Sequence, residues 1–221
     1  MPMSEAATHD PGTSSAHRSE ALADGIFAVA MTLLVIELKL PDHASIHGSA
    51  ELAAALVGLL PKAFAWLLSF FVLALFWSGH HRMFAYVRRV DRTLVGLNLL
   101  QLATVSLMPF SSALLGEHGG ALVSQGVYSS NMVLLGVSAW LIARHVFRHP
   151  ELGAALPQAT YAAVRMRIAG LVVISVVVFV IAAVVRIPGI GNTAFLLMAV
   201  LGPFSRSLER RRLAAAAVQV K

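Results

Sequence analysis

The sequence predicts an all-α integral membrane protein with six transmembrane helices per subunit. Three observations predict it. Of 221 residues, 57% are hydrophobic and only 13% charged, against about 25% charged in a soluble domain. The mean hydropathy is +0.75, too high for a water-soluble core of this size. Uncharged runs at 25–36, 63–79, 93–116, 119–143, 168–185 and 187–205 are separated by short charged stretches.

The elements follow in order. Residues 1–17, rich in Ser, Thr, Ala and Pro without periodicity, read as a disordered N-terminus. A spanning helix needs roughly 20 apolar residues, and five of the six runs approach or exceed that. The first, between Asp24 and Glu37, is short. At about 1.5 Å per residue it covers only about 18 Å, so a spanning helix there carries an ionisable group close to the hydrocarbon. Such groups face protein or a water-filled cavity, which places helix 1 inside an assembly, away from lipid. A cleaved signal peptide is the rival reading, but Asp24 interrupts it and Glu37 and Lys39 follow directly. Residues 41–57 read as an outer loop with a short amphipathic piece, and 144–167 as an inner connection broken by Pro150 and Pro157. Pro109 is expected to kink helix 3 near its outer end, and Pro203 to kink helix 6. The domain thus runs over 18–206, followed by a basic tail at 207–221.

Charge sets orientation. One set of loops and ends holds Arg18, then Arg82, Arg88, Arg89 and Arg92, then Arg144, Arg148, Arg165 and Arg167, then Arg206, Arg210, Arg211, Arg212 and Lys221. The other holds only Lys39, Lys62 and Arg186. The positive-inside rule places both termini in the cytoplasm, and the alternation itself argues for six crossings, since one missing helix would scramble it.

Helix 1 is the most informative segment. At about 100° per residue, Leu22, Ile26, Val29, Leu33 and Ile36 form one apolar stripe, flanked by Thr32, while Asp24 lies about 140° from Val29 on the opposite face. Periodicity alone leaves packing surface and pore lining both open. A buried carboxylate needs partners, and depth supplies them. Asp24, Arg18, Trp77 and His80 at the end of helix 2, and Asn98 at the start of helix 3 all fall in one inner layer. Their expected role is to anchor helix 1 against helices 2 and 3. A proton-coupled carrier using Asp24 and His80 is the alternative, and a non-conducting structural membrane protein a third. A carrier wants its titratable group near the midplane, however, and Asp24 sits near the inner end.

Much chemistry is excluded. Without cysteine there are no disulfides and no thiol catalysis. Adjacent His80 and His81 point in different directions on a helix and do not suggest a metal site. No nucleophile triad, phosphate loop or metalloprotease helix is present, so the chain does not read as an enzyme, and no cofactor or nucleic-acid partner is implied.

These residues resemble the transmembrane protein 175 family of potassium channels, in its prokaryotic single-repeat branch. The likeness is carried by Arg18, Leu22-Ala23-Asp24-Gly25 and the run Ile26 to Ile36 with Thr32. Further along it rests on Phe76-Trp77-Ser-Gly-His80-His81, on Asp91 with Leu97-Asn98-Leu99-Leu100, and on Leu107-Met-Pro109-Phe110-Ser111. It is specific over 18–116; beyond that only the helix count agrees. The resemblance implies a homotetramer in the bacterial plasma membrane with a central pore lined by four copies of helix 1. That pore lacks the usual carbonyl filter and narrows at apolar side chains, which map to Val29, Leu33 and Ile36. Thr32 matches a threonine linked to potassium selectivity. Potassium is then the permeant ion, with modest preference over sodium and with proton permeation. Two departures stand out, Leu22 for the family Phe and Ala23 for the family Ser; Ala23 takes a hydroxyl away from the surroundings of Asp24.

Overall fold

A computed structural model describes residues 11–40 and 48–185. They form α1 (Pro11–Ile36), α2 (Ser49–Gly58), α3 (Leu60–Phe84), α4 (Arg92–Ser106), α5 (Met108–Glu117), α6 (Leu122–Arg148) and α7 (Gln158–Val185), with a 3₁₀ turn at Pro150–Leu152 before α7. Five helical stretches are long and apolar enough to cross a membrane: Ala16–Ile36, Leu60–Phe84, Arg92–Glu117, Leu122–Arg148 and Gln158–Val184. They coincide with the first five predicted crossings. The expected sixth crossing at 187–205, Pro203 and the basic tail lie outside the described residues, as do residues 1–10.

One boundary differs from expectation, and the irregularity expected at Pro109 is present. Helix α1 begins at Pro11 rather than near Arg18, so residues 11–17, expected to be disordered, continue the helix. Proline is favoured at a first helical position, where its missing N–H costs nothing. The third crossing is split in two. Pro109 cannot donate a backbone bond to the preceding turn, and the chain breaks at Leu107, which ends α4 and opens α5.

Helices associate within a membrane through close packing of small against large side chains. Ala23, Phe27, Ala30 and Leu34 recur along one side of α1 and are all buried. They meet Leu68, Val72 and Leu73 of α3, Leu102 and Val105 of α4, and Met108 and Leu115 of α5 in the main core. Helix α6 lies against α4, α5 and α7, adding Tyr128, Met132 and Leu135. A smaller cluster of Met83, Phe84, Val87, Leu94, Ile142 and Val146 closes one end of the bundle. Two Arg-bearing loops meet there: Arg88 N–H donates to Leu152 O at 2.8 Å and Ala154 N–H to Tyr86 O at 2.9 Å, pairing Val87 with Gly153. A Cβ on Gly153 would fall 2.2 Å from Tyr86 O, so the close approach requires glycine. At the opposite end, Lys62 pairs with Glu117 at 2.7 Å beside a cleft lined by Leu34, Glu37 and Trp66. The predicted separation of Arg-rich and Arg-poor loops is therefore a separation between the two ends of the bundle.

Candidate functional site

The two faces of α1 have opposite fates. Its small-and-large face is buried against α3, α4 and α5, whereas Val29 is 56% exposed, Leu33 43% and Ile36 54%. These three lie about one turn apart on one side, and Leu22 extends the stripe. Thr32 is exposed beside them. Its hydroxyl donates to Val29 O at 2.8 Å, the i−3 back-bond typical of threonine in a helix. The hydroxyl proton is thereby engaged, and the oxygen keeps acceptor capacity on the exposed side.

The opposite side of α1 is held by polar contacts. Trp77 Nε1–H of α3 donates to Asp24 Oδ1 at 2.7 Å. His80 Nε2 and Asn98 Oδ1 lie 2.8 Å apart, both side chains buried, and Asn98 Nδ2 donates to Ser19 O at 3.4 Å. His80 stacks on Phe84 with ring centroids 4.3 Å apart and lies 6.1 Å from Phe27. Four of the five predicted anchor residues thus reach one layer, but as two pairs rather than one network. Arg18 is exposed and joins neither pair among the described residues. Asp24 and His80 are bonded to different partners and not to each other, so the direct relay that a proton-coupled carrier would use is not formed.

Sequence reasoning missed two contacts. Glu20 Oε1 and His81 Nδ1 lie 2.9 Å apart, giving α1 a further attachment to α3. Glu20 stands four residues before Asp24 and His81 four after Trp77, a spacing that could have pointed to them. The second is at the cytoplasm-predicted end, where Asp91 caps α4 by accepting from Leu94 N–H at 2.7 Å and pairs with His145 of α6 at 2.9 Å. Burial alone would raise the Asp91 pKa. The Leu94 amide and His145 outweigh it, and the carboxyl is held below its ordinary value. Only the packing of α4 on α6 reveals this pair. No group of three or more His, Asp or Glu is arranged to hold a metal among the described residues.

Residues 18–109 match the family described as "Endosomal/lysosomal potassium channel TMEM175". A protein named as a potassium channel in Streptomyces collinus is 38% identical over 135 residues, covering 59% of this chain and 64% of that protein. The matched stretch therefore spans just under two thirds of that relative's length. Zebrafish, Danio rerio, has an endosomal/lysosomal proton channel TMEM175 that is 26% identical over 141 residues, 63% of this chain and 26% of its own length. Among solved structures, the lysosomal potassium-selective channel TMEM175 homolog from Chamaesiphon minutus superposes with a TM-score of 0.70 at 28% identity. That superposition covers 89% of this chain and 98% of the other. These relatives are named as channels, and in this chain Asp24 and His80 are bonded to separate partners. The helices, the split third crossing and the matched stretch from Arg18 to Pro109 agree on one likeness: residues 18–109 are similar to the TMEM175 family, and the fold is that of the Chamaesiphon minutus homolog.

Proposed function

We propose that this chain is a subunit of a potassium-conducting channel whose pore is lined by the Val29–Leu33–Ile36 face of α1. The observation that carries the proposal is the contrast across α1: a fully apolar, exposed stripe on one side, and on the other a buried face fastened by the Asp24–Trp77 bond. A helix with so short an uncharged run is poorly suited to face lipid. Several copies converging on the stripe give it a partner and leave an axial path. Four copies, as the family resemblance implies, set three apolar rings along that path, with Thr32 beside them. In this reading both termini and the Arg-rich loops face the cytoplasm of a bacterial cell.

Conduction is passive. An apolar ring resists hydrated ions because they shed water there without replacement ligands, and a narrow ring dewets. Opening widens the ring by a small rotation or splay of α1. Selection among cations is modest, with Thr32 as its polar element and protons as a second permeant species. Glu37, half-buried near the other end of α1, adds negative charge close to the entrance and raises the local cation concentration.

The test is potassium flux through purified protein in liposomes, wild type against Leu33→Ala and Ile36→Ala. The proposal expects potassium over sodium conduction in wild type and greater flux or flatter selectivity in both variants. Absent flux, or flux that requires a proton gradient and ignores both substitutions, overturns it.

A further inference from the structure

The Arg-rich end of the bundle carries more positive charge than its own acids can meet. Residues 82–92 and 144–167 hold eight arginines and two acids, Asp91 and Glu151. Both carboxylates are taken by histidines, Asp91 by His145 at 2.9 Å and Glu151 by His149 at 2.7 Å. Arg144, Arg148 and Arg165 have no carboxylate partner among the described residues. Two of these guanidiniums lie on aromatic rings instead. That of Arg144 is 5.3 Å from the centroid of the Trp140 ring, and that of Arg165 is 6.0 Å from the Tyr161 centroid. Tyr161 in turn stacks on Phe147, with centroids 4.4 Å apart and planes 6° apart, so the faces that carry the two arginines adjoin across the seam of α6 and α7. The helices run antiparallel there, with Gly136 of α6 against Leu171 of α7 deeper in. Arg144 stands about one turn before Phe147 and Arg165 about one turn after Tyr161, which brings the two arginines to one depth. Orientation by charge needs only basic residues in the loop. It does not need two guanidiniums laid on rings at one level of neighbouring helices.

We propose that the α6–α7 seam at the Arg-rich end binds the headgroup of an anionic phospholipid from the adjoining leaflet, with Arg144 and Arg165 as the groups that take its phosphate. A guanidinium resting on an aromatic face is held in place by the ring. Its N–H edge stays free for a phosphate, which it meets with two parallel hydrogen bonds. Trp and Tyr favour the boundary between hydrocarbon and water, the depth at which a phosphodiester lies. Arg144 is half-buried and Arg165 exposed, so both reach that layer while their stems run along the helices. Exposed Arg148, one turn beyond Arg144, adds positive charge on the solvent side. On the same face of α6, Val137 is exposed two turns deeper, apolar surface for an acyl chain that a soluble anion would not use.

The experiment titrates the detergent-solubilised full chain with phosphatidylglycerol, with cardiolipin and with zwitterionic phosphatidylcholine. Native mass spectrometry counts bound lipid, and the melting temperature is read beside it. Both anionic lipids are expected to bind and to raise the melting temperature at concentrations where phosphatidylcholine does neither. A basic residue at an anionic lipid contributes about five-fold in affinity. Arg144→Gln and Arg165→Gln are each expected to weaken anionic-lipid binding by that factor, and together by about 25-fold. Arg82→Gln removes the same charge from an exposed position on α3 at the same end and is expected to bind as wild type does. Equal losses in all three single variants would assign the attraction to the net charge of this end and overturn the site. Phosphatidylcholine binding as tightly as the anionic lipids overturns it too. So does equal stabilisation by inorganic phosphate alone, which would make the seam a contact for small anions.

Discussion

Replacing Trp77 by Phe isolates the fastening of α1. The substitution keeps most of the ring, and with it the packing of α3, and removes the Nε1–H that donates to Asp24 Oδ1 at 2.7 Å. A hydrogen bond to a charged group contributes about 1.5–3 kcal/mol. Trp77 is 39% exposed and Asp24 only half-buried, so solvent screens the pair and about 1.5 kcal/mol is the appropriate end of that range. For a chain of this size, each kcal/mol shifts the melting temperature by about 2–4 °C, which predicts a fall of about 3–6 °C in detergent-solubilised protein. The same energy alters the balance between the held and released positions of α1 by about tenfold per subunit. Fluorescence-detected unfolding reads the first effect and liposome potassium flux the second. A variant that melts within about 1 °C of wild type and conducts identically would refute the idea that this bond positions the helix.

Two further outcomes follow from the Arg-rich end. Because the folded Asp91 carboxyl titrates below its ordinary value, its stabilising contribution is fully present above the unfolded pKa of about 4 and is lost as pH falls through the lower folded value. Asp91→Asn keeps an acceptor for the α4 cap, so melting curves of wild type and variant should converge below about pH 4 and separate above it; a constant gap would show that the charge contributes nothing. Gly153→Ala sets a methyl group 2.2 Å from the rigid carbonyl of Tyr86 and should cost about 1–3 kcal/mol, as forced overpacking does, with an unshifted melting temperature as the contrary result.

Much of the architecture was legible because lipid imposes simple demands. Runs of uncharged residues had to become helices, since no other short segment satisfies its own backbone in hydrocarbon, and the described crossings sit where those runs lie. The stripe at Val29, Leu33 and Ile36 followed from helical periodicity, and its exposure is what the fold adds. Depth along the membrane was also readable, which is why Asp24, Trp77, His80 and Asn98 fell into one layer. Rotation of each helix about its axis was not. That rotation directs Trp77 to Asp24 and His80 to Asn98 instead of joining all four, leaves Arg18 outside, and brings Glu20 to His81 and Asp91 to His145. It depends on how Ala23 and Ala30 let α1 approach its neighbours, a matter of side-chain volume between helices that no single helix records.

The break at Leu107 bears on how the protein is made. Arg92–Glu117 is one stretch of 26 residues long and apolar enough to cross a membrane, so it is expected to insert as a single crossing. Ser112, beyond the break, bonds to Ser69 at 2.9 Å and to the carbonyl of Ala65 at 3.2 Å, holding α5 to α3, while α4 packs on α6. The residues beyond Pro109 are thereby held to α3 by side-chain contacts that a hydropathy profile does not register.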